Sequence, residues 1–212
     1  MEWILQLPVL FFSVIVHEFA HGYMANRRGD DTAYLSGRLT FNPLPHIDPV
    51  GTVLLPLACA FMHIPTIGWA KPVPVNPYRM YHPRADMAAV AVSGPLSNLL
   101  LVALSAVAFK LITLWLPPVD LVVTAAKVIS YAIMINLALA MFNLIPIYPL
   151  DGSQIMLNLL KGRWLELYEK HLPYGMYIIF GLVMTGAIKV LILPPLFLAL
   201  QFLSYLGVYV GI

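Results

Sequence analysis

The feature that most constrains this chain is a His-Glu-x-x-His pattern at residues 17–21, set inside an apolar stretch. His17 and His21 are four residues apart, so on an α-helix both side chains project from one face, about one turn apart. Two imidazoles at that spacing can bind one zinc ion, and Glu18 beside them can serve as a general base. Ionisable side chains are costly in a membrane span and usually functional there. The setting therefore favours a metal-hydrolase site over a chance match or a pair of core histidines.

The composition predicts a multi-pass membrane protein. Hydrophobic residues make up 60% of the 212 positions and charged residues 10%, and the mean hydropathy is +0.83. Soluble domains carry about 25% charged residues, so we expect a single membrane-embedded domain over residues 1–212. The net charge of +2 is too small to suggest nucleic-acid binding. Cys59 is the only cysteine, which excludes an intrachain disulfide.

The apolar runs predict an all-α fold with about five transmembrane helices. The predicted spans are residues 3–25, 85–116, 120–145, about 174–193 and about 196–212. Pro194-Pro195 separates the last two spans, which predicts a C-terminal helical hairpin over 174–212. Residues 153–171 are amphipathic and charged, as in a segment that lies at the membrane surface. The catalytic core is therefore expected within residues 3–160.

Three stretches do not fit simple membrane helices. Residues 34–41 have β character around Gly37, which predicts a surface hairpin or an edge that pairs with an extended substrate. Residues 52–67 are apolar but short and contain two prolines, which suits a re-entrant segment at least as well as a span. The proline-rich residues 68–77 predict extended backbone, either lining a cavity or forming a cytoplasmic loop.

A catalytic zinc site usually has three protein ligands and one position for water, so a third ligand is needed. Asp151 follows a proline-broken helix end, where irregular backbone implies a pocket lined by protein. Asp48 is the alternative, although it could instead brace a turn through backbone hydrogen bonds. Spacing alone slightly favours Asp151. Among the other histidines, His46 is the candidate for contact with a metal ligand.

The path of residues 52–67 decides where Asp151 lies. If they dip in and return, most of the twelve basic residues lie on the cytoplasmic side, as the positive-inside rule requires, and Asp151 returns to the side of His21. If they cross, most of a ~30 Å core separates Asp151 from the histidines. Zinc–oxygen bonds of about 2.0–2.2 Å cannot bridge that distance. We therefore expect a re-entrant segment and an active site toward the cytoplasmic side of the cell membrane.

Five motifs together resemble the site-2 protease family of intramembrane zinc metalloproteases. The matching segments are His17-Glu18-Phe19-Ala20-His21, Asn42-Pro-x-x-His46-Ile47-Asp48-Pro-x-Gly51, Gly68-Trp-Ala-Lys-Pro-Val-Pro74, Ser93-Gly-Pro-x-x-Asn98 and Asn143-x-x-Pro-x-x-Pro-Leu-Asp151-Gly152. The resemblance covers residues 10–160. It implies that His17, His21 and Asp151 bind one Zn²⁺ per chain and that Glu18 is the base. It also implies that Asn143, with Asn98 as a second candidate, holds the substrate backbone or the oxyanion.

The resemblance implies cleavage of a transmembrane protein or peptide within the lipid bilayer, by a minimal member without a PDZ-like or CBS-like domain. Asn143 could equally be an amide that serves helix packing. The residues alone leave two other classes open. One is a membrane-embedded zinc hydrolase that acts on a lipid or another small substrate. The other is a metal-binding scaffold or transporter without turnover, against which Glu18 argues because coordination alone needs no base.

Overall fold

Long apolar helices organise this protein, whose computed structural model describes residues 2–54, 58, 61 and 70–210. In chain order the helices are α1 (Glu2–Arg27), α2 (Thr32–Leu35), α3 (Pro83–Trp115), α4 (Asp120–Asn143), α5 (Asp151–Leu159), α6 (Arg163–Glu169), α7 (Gly175–Met184) and α8 (Ile188–Tyr205). Short 3-10 turns cover Leu44–His46, Pro77–Arg79 and Leu172–Tyr174, and a π-helical turn covers Pro49–Leu54. The described residues contain no β-strand, so the prediction of an all-α fold is confirmed for them.

Among the described residues, four helices are long and apolar enough to cross a membrane. They are Leu5–Arg27 of α1, all of α3, all of α4, and α8. The protein is therefore a multi-pass membrane protein. Helix α7 has ten residues, which is about 15 Å at 1.5 Å per residue and half of a ~30 Å core. The predicted span at 174–193 is thus too short in the structure, and the amphipathic 153–171 region forms two short helices, α5 and α6.

The predicted helix break at Pro194-Pro195 is wrong. Helix α7 ends at Met184, and α8 begins at Ile188 and continues through both prolines. Gly186 in the connection has a φ of +72°, a left-handed conformation that commonly ends helices. The prolines remove two N–H donors from α8, a loss that membrane helices tolerate where neighbouring groups satisfy the freed carbonyls.

The β character expected at residues 34–41 is also absent from the structure. Helix α2 covers Thr32–Leu35, and Gly37 follows with a φ of +64°. Asp30 starts this turn, because its Oδ1 accepts hydrogen bonds from the Thr32 N–H at 3.0 Å and from the Thr32 hydroxyl. A local turn that the Asp30 side chain braces thus leads into a short helix where the sequence predicts the start of a strand.

Helix α3 lies at the centre of the bundle and packs against α1, α4 and α5. It runs antiparallel to α1, since His17 lies opposite Asn98 and His21 lies opposite Val90. Helix α4 reverses direction again, so the C-terminal ends of α1 and α4 and the N-terminal end of α3 lie at the same end of the bundle. Asp151 follows α4 and therefore lies at the same end as His21.

The chain leaves and rejoins the bundle at this same end. The Tyr81 N–H donates to the Arg28 carbonyl at 3.1 Å, and the Arg28 guanidinium pairs with Asp86 at 3.1 Å. The predicted re-entrant run at 52–67 lies mostly outside the described residues, so its path stays a prediction. The flanking residues nevertheless meet at one end of the bundle, as that prediction requires.

Candidate metal centre

His17, His21 and Asp151 come together although Asp151 is remote from both histidines in sequence. His17 Nε2 lies 3.2 Å from Asp151 Oδ2, and His21 Nε2 lies 3.3 Å from Asp151 Oδ1. The two Nε2 atoms are 3.0 Å apart. One ligand atom from each residue thus falls within 4.8 Å of the others. Both histidines are at least nine-tenths buried. The three predicted ligands form one compact group.

Gly152 allows Asp151 to reach the histidines. The chain turns between α4 and α5, and a Cβ at Gly152 would lie 2.5 Å from the carbonyl oxygen of Ile145 and closer still to that of Leu144. The Ser153 hydroxyl donates to the Leu150 carbonyl at 2.7 Å and secures the first turn of α5. Only glycine lets the start of α5 press against the end of α4 in this way.

Gly94 of α3 makes room for both imidazoles. A Cβ at this position would lie 2.5 Å from Cε1 and Nε2 of His21 and 2.6 Å from Cε1 of His17. Real Cβ atoms do not approach other atoms so closely, so any larger residue would displace the rings. The glycine of the Ser-Gly-Pro motif therefore has a direct steric role at the ligand group.

Hydrogen bonds orient both imidazoles with Nε2 toward the centre of the group. His21 Nδ1 lies 2.8 Å from the Val90 carbonyl oxygen, which can only accept, so Nδ1 carries the proton. His17 Nδ1 lies 2.6 Å from Asn98 Oδ1 and donates to it. In the neutral imidazole each Nε2 then has a free lone pair, the form that binds a metal ion.

The group is rich in acceptors and lacks donors. Burial by itself raises the pKa of the Asp151 carboxyl, but the two histidine side chains beside it lower that pKa by more than burial raises it, so it lies below the usual range of aspartate. Asp151 Oδ2 is buried and has no hydrogen-bond partner. Two nitrogen lone pairs and an ionised carboxylate that face one another need a cation between them. This donor set suits zinc with three protein ligands and a fourth position for water.

Glu18 lies beside the group and contacts the extended residues 70–76. Its Oε2 accepts a hydrogen bond from the Val73 N–H at 2.8 Å. The Val73 side chain packs against Gly22, which lies one turn after Glu18. A Cβ at position 22 would be only 3.0 Å from that side chain. A small residue at position 22 thus allows this segment to dock against the face of α1 that carries Glu18. Glu18 is placed next to the ligands without belonging to the three-residue group.

The remaining candidates form their hydrogen bonds with residues outside the ligand group. Asp48 Oδ1 accepts from the Val50 N–H at 3.0 Å and from the Gly51 N–H at 2.7 Å, so Asp48 braces a turn. His46 is fully buried, and its Nε2 donates to the Thr40 carbonyl at 3.0 Å. Asn143 donates from Nδ2 to the Leu139 carbonyl of its own helix at 3.0 Å. The catalytic role of Asn143 therefore stays a prediction.

Two amides behave differently from the sequence analysis. Asn98, expected as a second candidate for contact with substrate, is fully buried and binds His17 and Asn136 instead. Asn136 is a residue that the sequence analysis missed. The sequence did contain an indication of its importance, because an amide in the middle of the apolar α4 is costly in a membrane unless it has a specific partner.

Comparisons with known proteins show the family of this chain. The model of peptidase family M50 matches residues 117–186. A Bacillus subtilis protein named "Putative zinc metalloprotease YwhC" is 36% identical over 191 residues, which cover 84% of this chain and 81% of the relative. The chain therefore belongs to peptidase family M50, the site-2 protease family. This family gives the enzyme class, a zinc metalloprotease, and the His17, His21 and Asp151 group could hold its metal.

A second relative is more distant. The Mycobacterium tuberculosis protein named "Putative zinc metalloprotease Rip2" is 29% identical over 140 residues, which cover 66% of this chain and 51% of the relative. The chain thus spans about half the length of that protein. No solved structure matches the chain.

Proposed function

We propose that the protein is an intramembrane zinc metalloprotease that hydrolyses peptide bonds in or near the transmembrane segments of membrane proteins. The observation that carries the proposal is the position of the ligand group on a candidate membrane span. His17 and His21 lie within Leu5–Arg27, roughly 9–15 Å along the helix from Arg27. Chemistry at such a depth suits a substrate that is itself embedded in the bilayer.

The candidate residues have separate roles in the proposed reaction. His17, His21 and Asp151 would hold the ion. When bound there, zinc supplies Lewis acidity that activates a water nucleophile and polarises the scissile carbonyl. Glu18 takes a proton from the attacking water and passes it to the leaving amine. The Asn143 amide is our candidate to donate a hydrogen bond to the developing oxyanion.

The extended residues 70–76 favour a peptide as the substrate. Val73 binds Glu18 through its backbone, and the Asn76 N–H donates to the buried Asp30 at 2.6 Å, so the segment is anchored beside the base. A transmembrane helix hides its peptide bonds in its own hydrogen bonds and must unwind before it can be cleaved. An anchored, extended segment next to Glu18 is a suitable neighbour for the unwound stretch.

We further propose that this end of the bundle faces the cytoplasm. Basic residues that contact other parts of this end support the orientation: Arg28 pairs with Asp86, Arg79 pairs with Asp31, and Arg84 binds carbonyls of α5 and the residue that follows it. An excess of Lys and Arg near the ends of spans marks the cytoplasmic side.

The decisive experiment compares Glu18→Gln with wild type in purified, zinc-loaded protein incubated with a panel of transmembrane peptides. We expect wild type to cleave members of the panel and Glu18→Gln to lose cleavage while it retains stoichiometric zinc, since the amide cannot accept the proton. Peptide fragments are identified by mass spectrometry, and bound zinc is measured by elemental analysis.

Glu166→Gln is the matched control, because Glu166 is exposed on α6 and the same charge is removed away from the site. This variant should cleave as wild type does. The proposal is rejected if wild type cleaves none of the peptides but hydrolyses a lipid, or if Glu18→Gln cleaves at the wild-type rate.

A further inference from the structure

Three polar side chains are buried together in the middle of the helical bundle. Ser13 of α1, Asn98 of α3 and Asn136 of α4 are exposed by 1%, 0% and 1%. Burying polar groups in an apolar bundle costs free energy unless every donor and acceptor is paired. Each of these side chains contacts another of the set, and Asn98 also contacts the ligand His17. The set therefore joins the metal centre to the middle of α4.

The partners of Asn136 determine which end of its side-chain amide faces Asn98. The Ser13 hydroxyl donates to the Val9 carbonyl at 2.8 Å, so its oxygen accepts from Asn136 Nδ2 at 2.9 Å. Asn136 Nδ2 also donates to the Ala132 carbonyl at 2.8 Å. Both partners require the NH₂ group of Asn136, so its Oδ1 must face Asn98.

The orientation of Asn136 then determines the orientation of Asn98. Asn136 Oδ1 can only accept, so Asn98 presents Nδ2 to it, at 2.8 Å. Asn98 Oδ1 is consequently turned toward His17 Nδ1, 2.6 Å away, and can only accept there. His17 must carry its proton on Nδ1, which leaves the Nε2 lone pair for the metal.

We propose that Asn136 is a positioning residue for the metal site, which acts through Asn98 to hold His17 in the tautomer that can bind zinc. The hydrogen-bond partners of Asn136 include neither Glu18 nor any residue of the ligand group. Without Asn136, only the longer contact of Asn98 Nδ2 with the Ser13 carbonyl, at 3.4 Å, still orients the Asn98 amide, which can then rotate and present its NH₂ group to His17. The imidazole then favours a proton on Nε2, the atom that must bind the metal.

The test is zinc affinity without substrate, measured by competition with a chromogenic chelator in purified protein. We expect Asn136→Leu, which keeps the branched shape of the side chain but has no polar atom, to weaken zinc binding about 10–100-fold. If that variant aggregates, Asn136→Ala gives the same expectation without added bulk. Equal zinc affinity of the folded variant and wild type overturns the proposal.

A second substitution separates orientation from packing. Both oxygens of an aspartate accept hydrogen bonds, so Asp at position 98 accepts from His17 whichever way it rotates. We therefore expect Asn98→Asp, added to Asn136→Leu, to return zinc affinity toward the wild-type value. A loss of packing at position 136 would not be repaired by a carboxylate at position 98. Failure of this rescue in a folded, monodisperse double variant overturns the proposal.

Two controls complete the experiment. Ser13→Ala removes one acceptor of Asn136 but leaves the Ala132 carbonyl to orient the amide, so zinc binding should stay close to that of wild type. Ser130→Ala removes a hydrogen bond to the Ala126 carbonyl within the same helix, outside the set, and should leave zinc affinity unchanged.

The inference rests on the metal site of the proposed function but not on proteolysis. If wild type fails to bind zinc, the metal site itself is rejected. If wild type binds zinc and Asn136→Leu binds it equally well, only the role of Asn136 is rejected.

Discussion

Among single residues, the glycines control how closely the polypeptide can approach the ligand group. Gly94 leaves the space that both imidazoles occupy, and Gly152 lets the start of α5 lie against the end of α4. Gly94 and Gly152 are not among the glycines with a positive φ, so neither position requires a left-handed backbone. The absence of a side chain is therefore what matters at these two sites.

Gly94→Ala should weaken zinc binding while it leaves the membrane helices intact. The new Cβ would have to push His21 and His17 aside, and overpacking of this kind costs about 1–3 kcal/mol. Because 1.4 kcal/mol is a factor of ten, we expect zinc affinity to fall roughly tenfold. Chelator competition measures the affinity, and circular dichroism checks the helix content.

Gly181→Ala is the matched control, because a Cβ there would meet no heavy atom within 4 Å. Zinc affinity should not change in this variant. Equal zinc affinity in Gly94→Ala and Gly181→Ala would contradict the steric role that we assign to Gly94.

The sequence predicts the common helix face of His17 and His21 but not the polar set around them. The four-residue spacing of His17 and His21 fixes their common face through helix geometry alone. Asp151 could be favoured only slightly from spacing, because its position depends on how the helices between it and the histidines fold. The pairing of Asn136 with Asn98 depends on the register of α4 against α3, which no local pattern specifies.

At the scale of secondary-structure elements, α5 carries one candidate metal ligand and is held in place at both ends. Asp151 is its first residue and meets the histidines. At the other end, the Arg84 guanidinium of α3 donates to the Leu157 carbonyl at 2.7 Å and to the Leu160 carbonyl at 2.7 Å. These carbonyls lack partners within the helix, so Arg84 satisfies the C-terminal end of α5.

Arg84→Met should loosen α5 without removing a ligand. The lost hydrogen bonds are exposed, so we expect a local cost of about 1 kcal/mol. Hydrogen exchange of the α5 amides, followed by mass spectrometry, should become faster in this variant. Arg163→Met, at another exposed arginine on the neighbouring α6, should leave exchange in α5 unchanged. Unaltered exchange in Arg84→Met would show that α5 does not depend on this contact.

The sequence predicted helix positions correctly where the apolar runs were long. The predictions were wrong where local hydrogen bonds or a glycine determined the backbone conformation. The predicted spans at 3–25, 85–116 and 120–145 agree with α1, α3 and α4 to within a few residues. Residues 34–41 were misassigned because the turn that Asp30 braces leads into the short helix α2 and not into a strand. The break between the last two helices was predicted at Pro194-Pro195, but it lies at Gly186, which follows α7, and the two prolines lie inside α8.

For the molecule as a whole, the metal would join segments from opposite ends of the catalytic core. The ligands come from α1 and α5, and the folded chain is needed to bring them together. An ion that binds the folded state but not the unfolded state stabilises it, by about 2.7 kcal/mol when its free concentration is 100 times Kd.

Removal of zinc with a chelator should therefore lower the melting temperature of the wild-type protein in detergent, and added zinc should restore it. Asp151→Asn, which weakens one ligand, should melt with little dependence on zinc. The measurement is thermal unfolding followed by intrinsic fluorescence at fixed protein concentration. A zinc-independent melting temperature in wild type would contradict a bridging ion between α1 and α5.

The location of the third ligand on α5 also has a consequence for biosynthesis. The ribosome delivers His17 and His21 to the bilayer long before it makes Asp151. A nascent chain consequently holds an incomplete set of ligands throughout most of its translation. Loading of a metal ion into the three-residue group is then a late event, because the group is complete only after Asp151 has been made.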